Sequence, residues 1–393
     1  MESIKPSFQE FHQDKEVPVV ESIKSSFLEF HQDRGFTTHE SFPLVIDDPT
    51  VLFTNATITP FKSMFSGDRV FSNFALIQKC LRLGGTGGTV DTARVDINYT
   101  SLFNMLGSGL FNVSHDEALK YFVDMLDALG LDKKNLIFST IGDHPLELSL
   151  KSASLDANQV RIIEDPKVLK HEWSFGEGDL HGRGVIAWFA SEGNDQNPDL
   201  SDCLQIGRIV DIDGISKGTS VTPLEHTAFD VGLGLGRVEL ALTGENKYSL
   251  MPWRKLSKQY KDTFGHISDM DAHYMANLSR VIDELTSEGL MPGNKKQSYV
   301  LRKITRSLIE EVWLQSEGFV NVENILQPFI EGSMSKSRVA AAISSEENSL
   351  RQIISEVESR RKKHPEMTLS DLHSTFGIRP NLLSLMERMI KSN

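Results

Sequence analysis

A change of texture at about residue 256 limits this chain's folding options more than any other feature. Before it, short β-rich runs alternate with helical stretches, and glycines cluster at 84, 85, 87 and 88 and again at 232, 234 and 236. Such runs mark close backbone approach. After it, glycine thins out and apolar residues recur at the helical period over roughly 266–288, 298–315, 335–363 and 380–391. In the second of these segments Val300, Ile304, Leu308 and Val312 form one stripe, with Arg302, Lys303 and Arg306 on the opposite face. A chain of 393 residues has room for one large domain and a smaller one. The division predicted is an extension over 1–20, a mixed α and β domain over 21–255 and a helical domain over 256–393.

Within the first domain, Val51–Thr54 and Leu136–Thr140 read as strands. Ser114 to Leu129 reads as a helix: Ser114 and Glu117 make a capping box, Ala118, Leu119, Phe122, Leu126 and Leu129 supply an apolar face, and Gly130 ends it. At the N-terminus, residues 2–15 recur at 21–34 with three differences. Ile23, Phe27 and Phe30 give the second copy an amphipathic helical pattern, whereas the first carries Pro6 and reads as a duplicated extension.

Charge and cysteine content exclude several classes. With Cys80 and Cys203 alone, neither a disulfide framework nor a cysteine zinc site can be built. The twelve histidines include no HxxxH pair, so no resident metal is expected. A formal charge of -13 argues against a general nucleic-acid coat and against DNA as a partner. No run is long and apolar enough for a membrane span, and the expectation is a cytoplasmic protein.

The glycine clusters fit neither common nucleotide motif. The run Gly84–Gly88 lacks the GK[ST] ending of a phosphate loop, and the GxGxG of 232–236 lacks the strand–turn–helix context of a dinucleotide site. They fit a different pattern. Asp48–Ala56 followed by Pro60-Phe61-Lys62, then Gln78–Gly85 continuing to Phe103–Gly107, then Asp230–Arg237, resemble the three class II motifs of the alanyl-tRNA synthetase family in order. Met291–Asn294, Tyr299–Ile304 and Leu372–Gly377 resemble parts of that family's tRNA-recognition helices.

The resemblance implies an α+β fold, the class II antiparallel sheet flanked by helices, followed by an all-helical domain. It implies ATP with Mg2+ and a small amino acid, alanine foremost. Arg82 matches the arginine at the α-phosphate and Arg237 the one at the far phosphates, while Met105 and Gly234 fall in the ATP-binding motifs. Asp230 matches the aspartate that pairs with the α-ammonium group, Gly232 leaves room beside it, and Trp173, followed by Gly176, matches the wall of the amino-acid pocket. Fixed cations suit a reaction that builds charge on phosphate. Asn294, Arg302 and Ser374 fall at positions facing tRNA or another acceptor.

Departures accompany the likeness. The family's lysine in the second-motif loop is Thr86, its arginine-histidine-histidine stretch reads Asn98-Tyr99-Thr100, and its glutamate before the methionine is Asn104. Arg94 is the nearby candidate for replacing that charge. The asparagine of the amino-acid pocket becomes Arg208, and the aspartate partner of Asn294 becomes Ser374. The family's editing and C-terminal domains have no counterpart here, which points to a specialised paralogue. Two readings follow. One is an adenylate-forming ligase whose acceptor is tRNA or a small molecule or carrier; the basic residues Lys295, Lys296, Arg302, Lys303 and Arg306 favour tRNA. The other is a non-catalytic paralogue that acts as a binding module.

Overall fold

A computed structural model of the protein describes residues 19–48, 50–83, 94, 96, 99–153, 155–164, 171–174, 178–190, 198–218, 220–245, 252–364, 366–376 and 380–392. The duplicated segment 2–15, the Gly84–Gly88 run, Thr86, Asn98 and Gly176 lie outside them. The chain forms two compact units: residues 1–80 with 103–245, and residues 81–102 with 246–393.

The first unit is built on a ten-stranded sheet. Its main path runs β1 (Thr37–His39), β2 (Phe74–Leu81), β3 (Leu102–Phe111), β10 (Ala228–Gly234), β8 (Leu204–Lys217), β7 (Leu180–Phe189), β4 (Leu136–Ile141) and β5 (Val160–Ile163). Two strands lie off this path: β6 (Glu172–Ser174) pairs with β7, and β9 (Ser220–Pro223) pairs with β8. The central pairs β3–β10, β10–β8, β8–β7 and β7–β4 are antiparallel, while β1–β2 and β4–β5 are parallel.

Alternation along the strands sends residues to two different cores. On one face Leu106, Leu110, Phe229, Val231, Leu233, Ile209 and Phe138 pack beneath helix α1 (Val19–Gln32) and helix α2 (His115–Ala128). Helix α1 contributes Ile23, Phe27 and Phe30, as its apolar spacing predicts. Each such side chain adds roughly 1.5–3 kcal/mol on burial. Helix α2 begins at the predicted capping box of Ser114 and Glu117 and ends before Gly130, whose φ is +83°. On the other face Phe61, Phe65, Phe74, Met105, Val210 and Ile212 form the second core, and Trp173 packs against it.

Beneath α1 runs a buried polar chain. His31 Nδ1 lies 2.6 Å from the Phe27 carbonyl, which only accepts, so Nδ1 carries the proton and Nε2 accepts from the Tyr121 hydroxyl. Tyr121 in turn lies 2.7 Å from Ser108 Oγ on β3. Burial holds the His31 imidazole neutral down to about 4.

The strand expected at Val51–Thr54 is absent; the stretch makes one isolated bridge, Val45 to Phe53. Asp48 explains this, because its carboxylate accepts from the backbone N–H of Thr50 at 2.8 Å and of Val51 at 3.1 Å. That turn takes donors a ladder would need.

The second unit is helical, with α3 (Trp253–Phe264), α4 (Asp269–Ser287), α5 (Lys296–Gln315) and α6 (Lys336–Lys363) as its longer elements before Leu369–Phe376 and Pro380–Ser392. Residues 81–102 group with it, although the sequence reading places them in the first domain. Their attachments are specific. Fully buried Asn277 of α4 accepts from the Ser101 N–H at 2.8 Å and donates to Ser101 Oγ at 3.0 Å. Arg94 pairs with Asp271 at 2.9 Å and with buried Glu311, and its guanidinium lies 3.7 Å from the Tyr274 ring centroid.

Candidate active site

Strand β10 organises the candidate site in the first unit. Asp230, Gly232 and Gly234 alternate along one face of it. The register sets Asp230 between Gly109 of β3 and Val210 of β8, Gly232 between Gly107 and Arg208, and Gly234 beside Met105. Asp230, Gly232 and Arg208 are half-buried.

The missing side chains at Gly232 and Gly234 shape this face. A Cβ on Gly232 would lie 3.0 Å from Met105 Sδ, and one on Gly234 would lie 3.3 Å from the Arg237 side chain. Gly107 differs, since a Cβ there would come within 2.1 Å of Thr57. Thr57 therefore covers β3 at Gly107, whereas glycine keeps the strip over β10 low between Asp230 and Arg237.

Arg237 is the third residue of the helix that follows β10, Leu235–Thr243. Its Nη1 donates to the Gln205 carbonyl at 3.0 Å, which fixes the arm of the side chain along β8. The first-turn N–H groups carry partial positive charge, so side chain and helix end present the same sign.

Around Arg208 the structure adds a residue that the sequence reading missed. His171, 2% exposed, lies 3.0 Å from Ser139 Oγ through Nε2, and Ser139 Oγ accepts from Trp188 Nε1 at 2.8 Å. Burial lowers the His171 pKa to about 4, and the nearby Arg208 charge acts in the same direction. The available signal was weak: a histidine two residues ahead of Trp173 has no motif of its own. Trp173 itself sits on β6 opposite Gly182 of β7 and is half-buried against the second core.

The second unit holds the remaining predicted residues. Arg82 follows β2 directly; its N–H donates to the Ser101 carbonyl at 2.9 Å, and its own carbonyl accepts from the Tyr99 hydroxyl at 3.0 Å. Arg302 donates through Nη1 to Asn294 Oδ1, so these two predicted acceptor-facing residues meet. Ser374, on the helix Leu369–Phe376, donates to the Asp371 carbonyl at 3.0 Å. Two basic residues are committed to structure. Arg94 is held by Asp271 and Glu311, as described, and Arg306 pairs at 2.6 Å with buried Glu346 of α6 and is not on a solvated face.

The sequence matches the family of class II (A) tRNA synthetases over residues 22–389. The chain belongs to that family. A class II synthetase sheet flanked by helices, followed by a helical region, is accordingly its fold. Curated relatives include the alanine–tRNA ligases of Hyphomonas neptunium, 29% identical over 293 residues, and of Dinoroseobacter shibae, 27% identical over 297 residues. These alignments cover 69% and 70% of this chain and 33% of each relative, so the chain spans about a third of the length of the relatives it matches. A solved structure, apo histidyl-tRNA synthetase of S. aureus, aligns with 63% of this chain and 75% of its own at 12% identity and a TM-score of 0.36. Among the described residues of this member of the class II synthetase family, no helix is long and apolar enough to cross a membrane. Nor does any group of three His, Cys, Asp or Glu among them form a metal-binding set.

Proposed function

We propose that the chain is a ligase of the alanine–tRNA ligase type: it activates a small amino acid with ATP and passes it to an acceptor. The observation that carries this reading is the placement of Asp230 and Arg237 at the two ends of a glycine-lowered strip on β10, in a member of a synthetase family. Asp230 holds the α-ammonium group by a charge-assisted bond, which orients the amino acid. One oxygen of its α-carboxylate attacks the α-phosphorus of ATP, a C–O–P bond forms, and the bond to pyrophosphate breaks. Arg237 and its helix N-terminus stabilise the negative charge on the departing phosphates. Met105 and Gly234 border the nucleotide, and Trp173 walls the amino-acid pocket. Mg2+ accompanies ATP. The acceptor, whether tRNA or a small molecule or carrier, meets Asn294, Arg302 and Ser374.

The alternative, a non-catalytic binding module, draws support from Arg94. Its ties to Asp271 and Glu311 leave the charge lost at Thr86 unreplaced by that side chain. Amino-acid-dependent ATP–pyrophosphate exchange separates the two readings. Exchange with a small amino acid upholds the ligase; none with any of them leaves the binding module. Charging of purified tRNA then decides the acceptor.

A further inference from the structure

Lys62, the last residue of the first-motif match, is bound on three sides. Its Nζ donates to Asp179 at 2.8 Å and to the Thr50 hydroxyl at 2.6 Å, and it lies 3.1 Å from Asp48. The side chains of the lysine and the two aspartates are only 13–17% exposed. One ammonium group thus joins two carboxylates where solvent screens little. The base of that lysine is firm. Phe61 and Phe65 are buried in the second core, and Phe61 stacks on Phe74 with 3.8 Å between ring centroids.

Asp179 stands at the head of β7, in the connection that arrives from β6. Ser216 of β8 receives both arms of this hairpin. The Gly178 N–H donates to the Ser216 carbonyl at 2.7 Å, the Ser216 N–H donates to the Asp179 carbonyl at 2.8 Å, and Ser174 Oγ lies 3.0 Å from Ser216 Oγ. The grip of Lys62 reaches the same hairpin from the short helix Lys62–Phe65. Next to Ser174 is Trp173, which pairs with Gly182 and packs on the second core. That core also holds Met105 and Val210, the register partners of Gly234 and Asp230. Trp173 therefore stands on the face of the sheet that carries the glycine strip.

We propose that Lys62 is a positioning residue for amino-acid selection: by gripping Asp179 it sets how far Trp173 closes the pocket, and so how large a side chain enters. Without the lysine, Asp48 and Asp179 would face one another as like charges within the span of a single ammonium group. Their repulsion would drive the hairpin from its seat. A wall that recedes by the width of a methylene gives up most of its selectivity, since one methylene in a closed apolar pocket is worth roughly 10–200-fold. This inference rests on the adenylate-forming reading with Trp173 as the pocket wall, and it adds the residue that holds the wall in place.

The test is ATP–pyrophosphate exchange by the full chain with alanine and with 2-aminobutyrate, which is one methylene longer. The variants are Lys62→Met, Lys62→Arg, Trp173→Ala and the pair Lys62→Met with Trp173→Ala. The unaltered chain should favour alanine, and Lys62→Met should lower the ratio of the two kcat/KM values about tenfold, chiefly through a higher KM for alanine. Lys62→Arg, which keeps the charge, should hold the ratio within about threefold. In the Trp173→Ala background, Lys62→Met should change the ratio by less than about twofold, because it acts through that side chain. An equal loss for both substrates in Lys62→Met, at an unchanged ratio, overturns the inference and leaves the ligase reading standing. If Lys62→Met does not melt cooperatively, Asp179→Asn takes its place, with an expected fall of about threefold. A Trp173→Ala ratio equal to that of the unaltered chain overturns both the wall and its clamp. If neither amino acid supports exchange, the ligase reading falls and the ratios are taken from amino-acid affinities by calorimetry. There an unchanged ratio, or no binding, overturns the inference.

Discussion

In the helical unit the arginines that reach inward meet carboxylates, whereas in the sheet unit Arg208 and Arg237 lie half-buried along a face lowered by glycine. Arg94 grips Glu311, Arg306 grips Glu346, and Arg351 grips Glu347 at 2.6 Å while also donating to the carbonyls of Phe319 and Val320. All three carboxylates are buried. The contrast teaches that an arginine's role follows from its setting. A guanidinium matched to a buried carboxylate, on its own helix for Arg351 and on another element for Arg94 and Arg306, holds the fold, whereas Arg208 and Arg237 share a sheet face with glycines.

The largest effect expected is at Asp230. Asp230→Ala should reduce amino-acid-dependent exchange by at least about 1,000-fold, close to 4 kcal/mol at 1.4 kcal/mol per tenfold, with a melting temperature near that of the unaltered chain. Near-normal exchange rates would contradict the pocket assignment. Arg94→Ala should act in the opposite sense. It strands the charge of Glu311 and should cost about 3–5 kcal/mol of stability in urea unfolding. A loss below about 1 kcal/mol would remove the distinction drawn between the two units.

Next in size is a pH effect from His31. Its folded pKa of about 4 lies below its ordinary value of 6.5, so between these pH values the unfolded chain binds the proton and the folded chain does not. Stability should therefore be flat above pH 7 and fall by roughly 2 kcal/mol between pH 7 and pH 5 from this group. His171 and His273, also lowered to about 4 mainly by burial, add in the same direction. A His31→Gln variant should show a shallower decline, and an unchanged slope would acquit His31. The smallest effect, about 1 kcal/mol, is expected for Ser114→Ala, which removes one cap of helix α2. Exchange activity should not change with it, and a drop there would tie the helix to the site.

The sequence was most legible where a local rule acts. The capping box at Ser114, the stripe of Ile23, Phe27 and Phe30 and the long helical periods all specify their elements without long-range help. The Val51–Thr54 reading failed because β-propensity says nothing of Asp48, whose carboxylate captures the backbone donors. Within the candidate site, Asp230, Gly232, Gly234 and Arg237 share one short stretch of chain that the motif resemblance picks out, while the strand running straight into a helix there, Ala228–Gly234 into Leu235–Thr243, is visible only in the structure. His171 could not be read. Its link to Ser139, 32 positions away, exists only through sheet pairing and the bond from Trp188. Likewise the carboxylate partners of Arg94 and Arg306 lie on distant helices, and a charge on an amphipathic pattern looks the same whether solvated or paired.

Every residue that helix α1 buries, Ile23, Phe27, Phe30 and His31, has an identical counterpart upstream in Ile4, Phe8, Phe11 and His12. The four buried positions alone cannot tell the two apart. Discrimination falls to Pro6, which stands where Ser25 lies inside the helix, and to Gln9 in place of Leu28, which packs on the core. A proline at that interior position costs a helix about 3 kcal/mol, a preference of more than 100 to 1. Helix propensity at that single position thus favours the second copy.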